Sequence, residues 1–324
     1  VAYVRGCPLV LESASEAVAS TGARFDFSRQ LDSLKEAETV IYVGGISPRL
    51  EGEEMPVKIE GFRGGDRTSI ELPLVQRAFL KALHEAGKKV IFVNCSGSAI
   101  ALAPEVQTCD AILQAWYPGQ EGGTAVADVL FGDFNPCGKL PVTFYRSDDQ
   151  LVDYEDYSMS DSLGRTYRYF KGKPLFPFGY GLSYSQFKIG TAKIEDMDGA
   201  EIPLTGKRML NHELGIGRGA LLVVPVSNES AIDGICVVEV YLHKIEADGP
   251  RKSLRAFSRL SVPAHGKAKA YIVLPPSAFE SFEALRGADS SASGRMSVRP
   301  GRFDVLYGTS SADGDLNAVT VLLK

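Results

Sequence analysis

The sequence is poor in the residues that organise metal and thiol chemistry. Its 324 residues hold five cysteines, Cys7, Cys95, Cys109, Cys137 and Cys236, and no two of them form a C-x-x-C pair. This spacing argues against a zinc site and against a dense disulfide framework. The odd count leaves at least one thiol unpaired within the chain, and Cys95, at the end of an apolar run, reads as a small hydrophobe. Four histidines, His84, His212, His243 and His265, lie far apart, so no histidine-centred triad or metal site gathers in the sequence. No metal and no organic cofactor is expected. Positive charge is also short, with 35 Lys and Arg against 40 Asp and Glu, a net charge of -5 and a pI near 5.6. Nucleic acids and anionic membranes recruit basic faces, so neither is an expected partner. No apolar run approaches the roughly 20 residues that span a bilayer. The chain opens on Val1-Ala2-Tyr3-Val4 with neither an initiator Met nor a signal peptide. It is expected to be part of something longer, with targeting information outside it.

What is present suits a folded protein of two domains. Hydrophobic residues make up 44% and charged residues 23%, enough to bury a core. In the first half, strand-like runs at 2–4, 40–43, 90–93, 111–113 and 140–143 alternate with helix-like periods at 28–37, 74–86 and 121–131. Alternation of this kind predicts an α/β fold with a doubly wound, mainly parallel sheet over residues 1–150. Gly119-Gln120-Glu121-Gly122-Gly123 reads as a loop of close approach. Residues 151–186 are rich in Tyr, Gly and Pro and read as an ordered linker. From 187 to 324 strands take over, at 221–226, 236–243, 254–262, 268–274 and 303–308, with turns at Asn228-Glu229-Ser230 and Asp233-Gly234. About seven short strands over that length predict an immunoglobulin-like β-sandwich. Residues 284–299 read as an exposed loop.

The segment Leu50-Glu51-Gly52-Glu53-Glu54-Met55 puts three carboxylates within four positions. It follows the apolar run Val40-Ile41-Tyr42-Val43-Gly44-Gly45 and leads to Gly64-Gly65-Asp66-Arg67. Ligands of open α/β sheets bind beyond strand ends. Clustered carboxylates there can have their pKa values pushed apart, as acid–base chemistry requires. The competing reading is a solvated acidic loop. A nucleotide-binding loop is excluded, because Val43-Gly44-Gly45 runs into Ile46-Ser47-Pro48 and not into a GxGxxG or GK[ST] pattern.

Four segments together resemble the C-terminal half of a glycoside hydrolase family 3 enzyme of the β-xylosidase or β-glucosidase type. The first is Gly52-Glu53-Glu54 with Gly65-Asp66-Arg67-Thr68-Ser69-Ile70-Glu71-Leu72-Pro73. The second is Trp116-Tyr117-Pro118-Gly119-Gln120-Glu121-Gly122-Gly123. The third is Gly132-Asp133-Phe134-Asn135-Pro136-Cys137-Gly138-Lys139-Leu140-Pro141-Val142-Thr143-Phe144. The fourth runs from Gly164-Arg165-Thr166-Tyr167-Arg168-Tyr169-Phe170 to Phe178-Gly179-Tyr180-Gly181-Leu182-Ser183-Tyr184. The resemblance implies an α/β sandwich domain followed by a fibronectin type III-like domain. It further implies an N-terminal TIM-like barrel that supplies an aspartate nucleophile, and nothing in these 324 residues resembles that aspartate motif.

Retaining glycosidases use two carboxyl groups about 5–5.5 Å apart, one as nucleophile and one as acid/base. The resemblance implies that the acid/base is a glutamate of the 50–55 loop, with Glu53 at the central position and Glu54 and Glu51 as alternatives. Glu60 is a remote one. Residues 55–64 stand between these glutamates and Asp66-Arg67 like an insertion, which leaves the register open. Away from the barrel, the loop is expected to be exposed. Asp66-Arg67 reads as an ion pair holding the loop. Trp116 and Tyr117 read either as packing or as a platform for a sugar. The expected partners are a glycoside or oligosaccharide and the barrel, and the family setting is secreted or periplasmic. The alternative function is a non-catalytic carbohydrate-binding or interaction module, or a paralogue that has lost the chemistry.

Overall fold

A computed structural model describes residues 1–11, 25–52, 54–197, 213–214, 219–245, 249–284 and 294–324. It divides into two compact units. The first comprises residues 1–131, 143–156 and 172–176, and the second comprises residues 132–142, 157–171 and 177–324.

The first unit is built on three parallel strands, β1 (Thr39–Gly45), β5 (Lys89–Cys95) and β6 (Ala111–Gln114), side by side in that order. The helix Leu74–Glu85 connects β1 to β5 and buries Val75, Phe79, Leu80 and Leu83. They join Tyr42, Val90 and Phe92 in one core. Gly87, at φ 73°, follows that helix in the left-handed conformation expected of a helix stop. Three expected elements differ. Residues 2–4 and 140–143 are not strands. Val1 and Tyr3 are almost wholly exposed, and residues 2–4 pair with no strand among the described residues. The helix expected over 28–37 closes after Ser28–Ser33.

The stretch between the glutamates and Arg67 is a folded clip. β2 (Lys58–Ile59), β3 (Phe62–Arg63) and β4 (Asp66–Arg67) pair antiparallel in sequence order. Phe62 is buried in the core of the unit, with Val57 and Ile59 packed beside it. Met55 N donates to Gly64 O at 3.0 Å, so the clip returns the chain to where it left. Gly65, at φ 92°, sits so close to the Gly52 carbonyl that a Cβ would collide with it. Only glycine allows that closure.

The second unit is a β-sandwich. One sheet holds β13 (Lys267–Leu274), β10 (Gly219–Asn228) and β7 (Phe187–Ile189), with β8 (Lys193–Met197) also paired to β10. The other runs β12 (Ser253–Val262), β11 (Gly234–Lys244), β16 (Gly301–Gly308), β17 (Leu316–Leu323) and β9 (Glu213–Leu214). Alternate residues of β10 and β11, such as Leu222, Val224, Val238 and Val240, fill the space between them. The expected loop over 284–299 is partly a strand, because β15 (Gly294–Val298) pairs with β14 (Glu280–Ala284). Within this unit Tyr167 stacks on Phe178 at 4.4 Å and meets Tyr241 edge-on, so the Arg165–Phe170 stretch is packed structure.

Candidate functional site

The C-terminal ends of the three parallel strands lie side by side, since Gly45 is opposite Cys95 and Asn94 is opposite Gln114. Gln76, fully buried on an otherwise apolar helix face, fixes the end of β1. Its Oε1 accepts from Gly45 N at 2.8 Å and from Tyr42 Oη at 3.1 Å. Its Nε2 donates to Gly45 O at 2.6 Å and Leu9 O at 2.7 Å. Gly45 itself stands at φ 112°, and any Cβ there would strike the Cys95 carbonyl. Asn94 is equally buried and donates to Gln114 Oε1 at 2.6 Å. Its Oδ1 has no partner among the described residues, which leaves an acceptor at the strand ends.

Above these ends the loop of glutamates is anchored through Glu51. Tyr117 Oη donates to Glu51 Oε2 at 2.5 Å, and Gly97 N reaches the same oxygen at 3.3 Å. The Ser98 hydroxyl donates to Oε1. Both carboxylate oxygens are therefore occupied from within the protein. Burial, then the bond and charge of Glu51, push the Tyr117 phenol well above its ordinary range, so it keeps the proton it donates. Glu51 is thus only half-exposed, against the expectation for this loop. Glu54 is exposed at φ 54°, and Glu60 is exposed near the turn of the clip. Glu53 lies outside the described residues.

Arg67 does not pair with Asp66. Its Nε donates to Ser69 O at 3.0 Å, its Nη2 to Glu71 O at 3.1 Å, and its Nη1 to Ser98 Oγ at 3.2 Å and Ala99 O at 3.3 Å. Burial lowers the guanidinium pKa, and the nearby negative charge of Glu51 opposes that shift more than any other neighbour does. The guanidinium fork suits several carbonyls at once, and that is how it holds the loop. Asp66 is exposed at the end of the clip. A second acid fixes the same segment, since Asp148 accepts from Ser69 Oγ at 2.7 Å and Ile70 N at 2.8 Å. Behind it, Arg77 bridges Glu71 and the buried Glu105 at 2.8 and 2.7 Å.

The two aromatics read as a possible sugar platform are engaged in packing. Trp116, at φ 57°, meets Phe144 edge-on at 6.0 Å. The Tyr117 ring packs on the core and its hydroxyl is held by Glu51. In the loop beyond, Gly122 abuts Pro118, while a Cβ at Gly119 or Gly123 would meet open space, so no close approach within the protein requires glycine at those two. Sequence reasoning missed Gln76, Gly97, Ser98 and Asp148. A buried amide on an apolar helix face was the readable signal for Gln76, and Ser96-Gly97-Ser98 directly after a strand was the signal for the anchor. The five cysteines are free thiols, and among the described residues no group of three or more His, Cys, Asp and Glu could hold a metal. No helix among the described residues is long and apolar enough to cross a membrane.

Comparison with known proteins gives this geometry its context. The profile of the glycosyl hydrolase family 3 C-terminal domain matches residues 8–184, and that of a fibronectin type III-like domain matches residues 236–311. A xylan 1,4-beta-xylosidase of Xylanibacter ruminicola is 53% identical over 92% of this chain and 32% of its own length. A periplasmic beta-glucosidase of Salmonella typhimurium is 32% identical over 87% of this chain and 34% of its own. The crystal structure of a beta-glucosidase from Listeria innocua in complex with isofagomine superposes with a TM-score of 0.70 at 25% identity, covering 98% of this chain and 40% of that one. The chain spans about a third of the length of the curated relatives it matches. It belongs to glycosyl hydrolase family 3, of which it carries the C-terminal α/β domain followed by a fibronectin type III-like domain.

Proposed function

We propose that the chain is the C-terminal part of a retaining exo-β-glycosidase that removes terminal β-xylosyl or β-glucosyl residues. It supplies the general acid/base, and an aspartate nucleophile comes from an N-terminal barrel domain. The observation that carries this reading is the anchoring of the glutamate loop. Glu51 is clamped by Tyr117, Ser98 and Gly97 over the ends of β1 and β5, where α/β sheets present their chemistry. An anchored first glutamate leaves the later ones to act. Glu53, two residues beyond the clamp and at the centre of the family motif, is the acid/base. It protonates the departing oxygen in the first step and takes a proton from water in the second.

Glu51 then serves as a positioning residue. Holding a proton donor at hydrogen-bond distance from the scissile oxygen, to within a fraction of an ångström of its productive position, is worth far more than its mere presence. Arg67 and Asp148 fix the segment Ser69–Glu71 that follows the clip, so the loop is tied at both ends. The names of the relatives, a xylan 1,4-beta-xylosidase and a beta-glucosidase, support the β-xyloside and β-glucoside substrate classes.

Hydrolysis of aryl β-xyloside, β-glucoside and α-arabinoside tests the reading. The expected result is no turnover by this chain alone and turnover when it is joined to a family barrel carrying the aspartate. Turnover by the isolated chain would contradict it, because the chain would then hold its own nucleophile.

A further inference from the structure

The outer face of the four-stranded sheet in the second unit is basic, although the protein carries a net charge of -5. Strand register fixes which side chains share that face. Leu222, Val224 and Val226 of β10 are buried in the sandwich core, so Val223, Pro225 and Ser227 point the other way. Ser227 is opposite Lys188 on one side and Lys267 on the other. Pro225 is opposite Lys269, and Val223 is opposite Lys193 and Tyr271. Four lysines and a tyrosine thus share one surface, and all five are exposed, Tyr271 by 54%. Among the described residues none of the four ammonium groups makes an ion pair. Three of the lysines and Tyr271 line a concavity of about 610 Å³ floored by Pro225. Glu195, opposite Leu221, shares this face two residues beyond Lys193, at the end where Met197, Leu221 and Val223 form a small buried cluster and away from Lys188, Lys267 and Lys269.

We infer that this face binds an anionic saccharide chain bearing uronic acid carboxylates. Lys267 and Lys269 are about 7 Å apart along their strand, and Lys188 is about 10 Å away across two strand spacings. Cations spread in this way suit charges repeated along an extended polymer, not one compact anion. The exposed Tyr271 ring beside them offers the flat apolar surface on which a pyranose ring stacks. All four cations are lysines, point charges that pair with an anion without the fixed bidentate geometry of the arginine fork. Double-stranded DNA also carries one charge per about 1.7 Å, a far denser line than these lysines match. The inference goes beyond the proposed function and does not rest on it, since binding is read without turnover.

The test is native affinity electrophoresis of the full chain through gels containing polygalacturonate, with neutral xylan as the control polymer. Single-stranded DNA and phosphatidylserine vesicles serve as competitors. Polygalacturonate is expected to retard the chain while neutral xylan does not, and raised salt should weaken the effect. Lys267→Glu/Lys269→Glu should weaken binding about tenfold, with Lys267→Gln/Lys269→Gln intermediate. Tyr271→Ala should weaken it about fivefold. These side chains are exposed, and an unchanged thermal melt verifies that each variant is folded. Mobility unchanged by polygalacturonate, or retardation insensitive to both double variants of Lys267 and Lys269, would overturn the inference and leave the lysines as guards of a sheet edge. Tighter binding of DNA or vesicles would equally overturn it, in favour of a phosphate-bearing partner.

Discussion

Tyr117 and Glu51 share a hydrogen bond of 2.5 Å that ties the loop after β1 to the loop after β6. Sixty-six positions separate the two residues in the chain, so the bond closes the rim of the sheet where the candidate chemistry sits. Tyr117→Phe removes the donor and keeps the ring. It should cost about 1.5–3 kcal/mol in denaturant unfolding, the usual range for a bond to a charged acceptor. Hydrogen exchange should rise at residues 50–55 and stay unchanged in the second unit. In the joined enzyme the same change should lower kcat more than it raises KM, as expected of a residue that positions the acid.

Gln76 makes four hydrogen bonds from one fully buried amide. Gln76→Leu conserves much of its volume but leaves both polar groups of Gly45 without that partner. Each buried group left unsatisfied costs about 1–3 kcal/mol, so a total loss of about 3 kcal/mol or more is expected. Urea unfolding monitored by circular dichroism measures it. A loss below about 1 kcal/mol would mean that water replaces the amide.

The second unit carries its own acid sensitivity. Lys252 is buried, and its ammonium donates to Ser311 O at 2.7 Å and to Asp313. The Lys252 bond holds the Asp313 carboxyl below its ordinary 3.8. A carboxyl depressed in the folded state contributes stability that is present above its unfolded pKa and is lost as pH falls through the folded one. Asp313 remains 73% exposed, so solvent screening limits the effect of Asp313→Asn near neutrality to about 1 kcal/mol. The gap between wild type and variant should close below roughly pH 4. Unfolding midpoints across that range check the sign.

Much of this architecture was legible in the residues. Strand β1 announced itself by its apolar run, and the helix Leu74–Glu85 by its period and by Gly87. The sandwich strands showed through their β-branched alternation. What stayed hidden depends on partners distant in sequence. Gly294–Val298 has a polar, strand-neutral composition and becomes a strand by pairing with Glu280–Ala284. Val1 to Val4 has the opposite character, with strand composition and no pairing strand among the described residues. The clip between Met55 and Arg67 looked like an insertion because its two-residue strands are too short to show a period. At the site, the resemblance pointed to the glutamate loop, but three neighbouring carboxylates look alike in sequence. Their difference is geometric. Glu51 meets donors from two other loops, whereas Glu54 meets solvent.

In the proposed mechanism Glu53 is the acid/base and Glu51 its anchor. The most direct measurement is leaving-group dependence with azide rescue in the chain joined to its barrel. Glu53→Gln should lose about 10²–10⁴ in rate on a phenyl glycoside, whose leaving group needs a proton. It should lose little in the glycosylation step of a 2,4-dinitrophenyl glycoside, and added azide should restore turnover by forming the glycosyl azide. Glu51→Gln should slow both substrates without rescue. Full activity of Glu53→Gln, or azide rescue of Glu51→Gln in its place, would contradict the account.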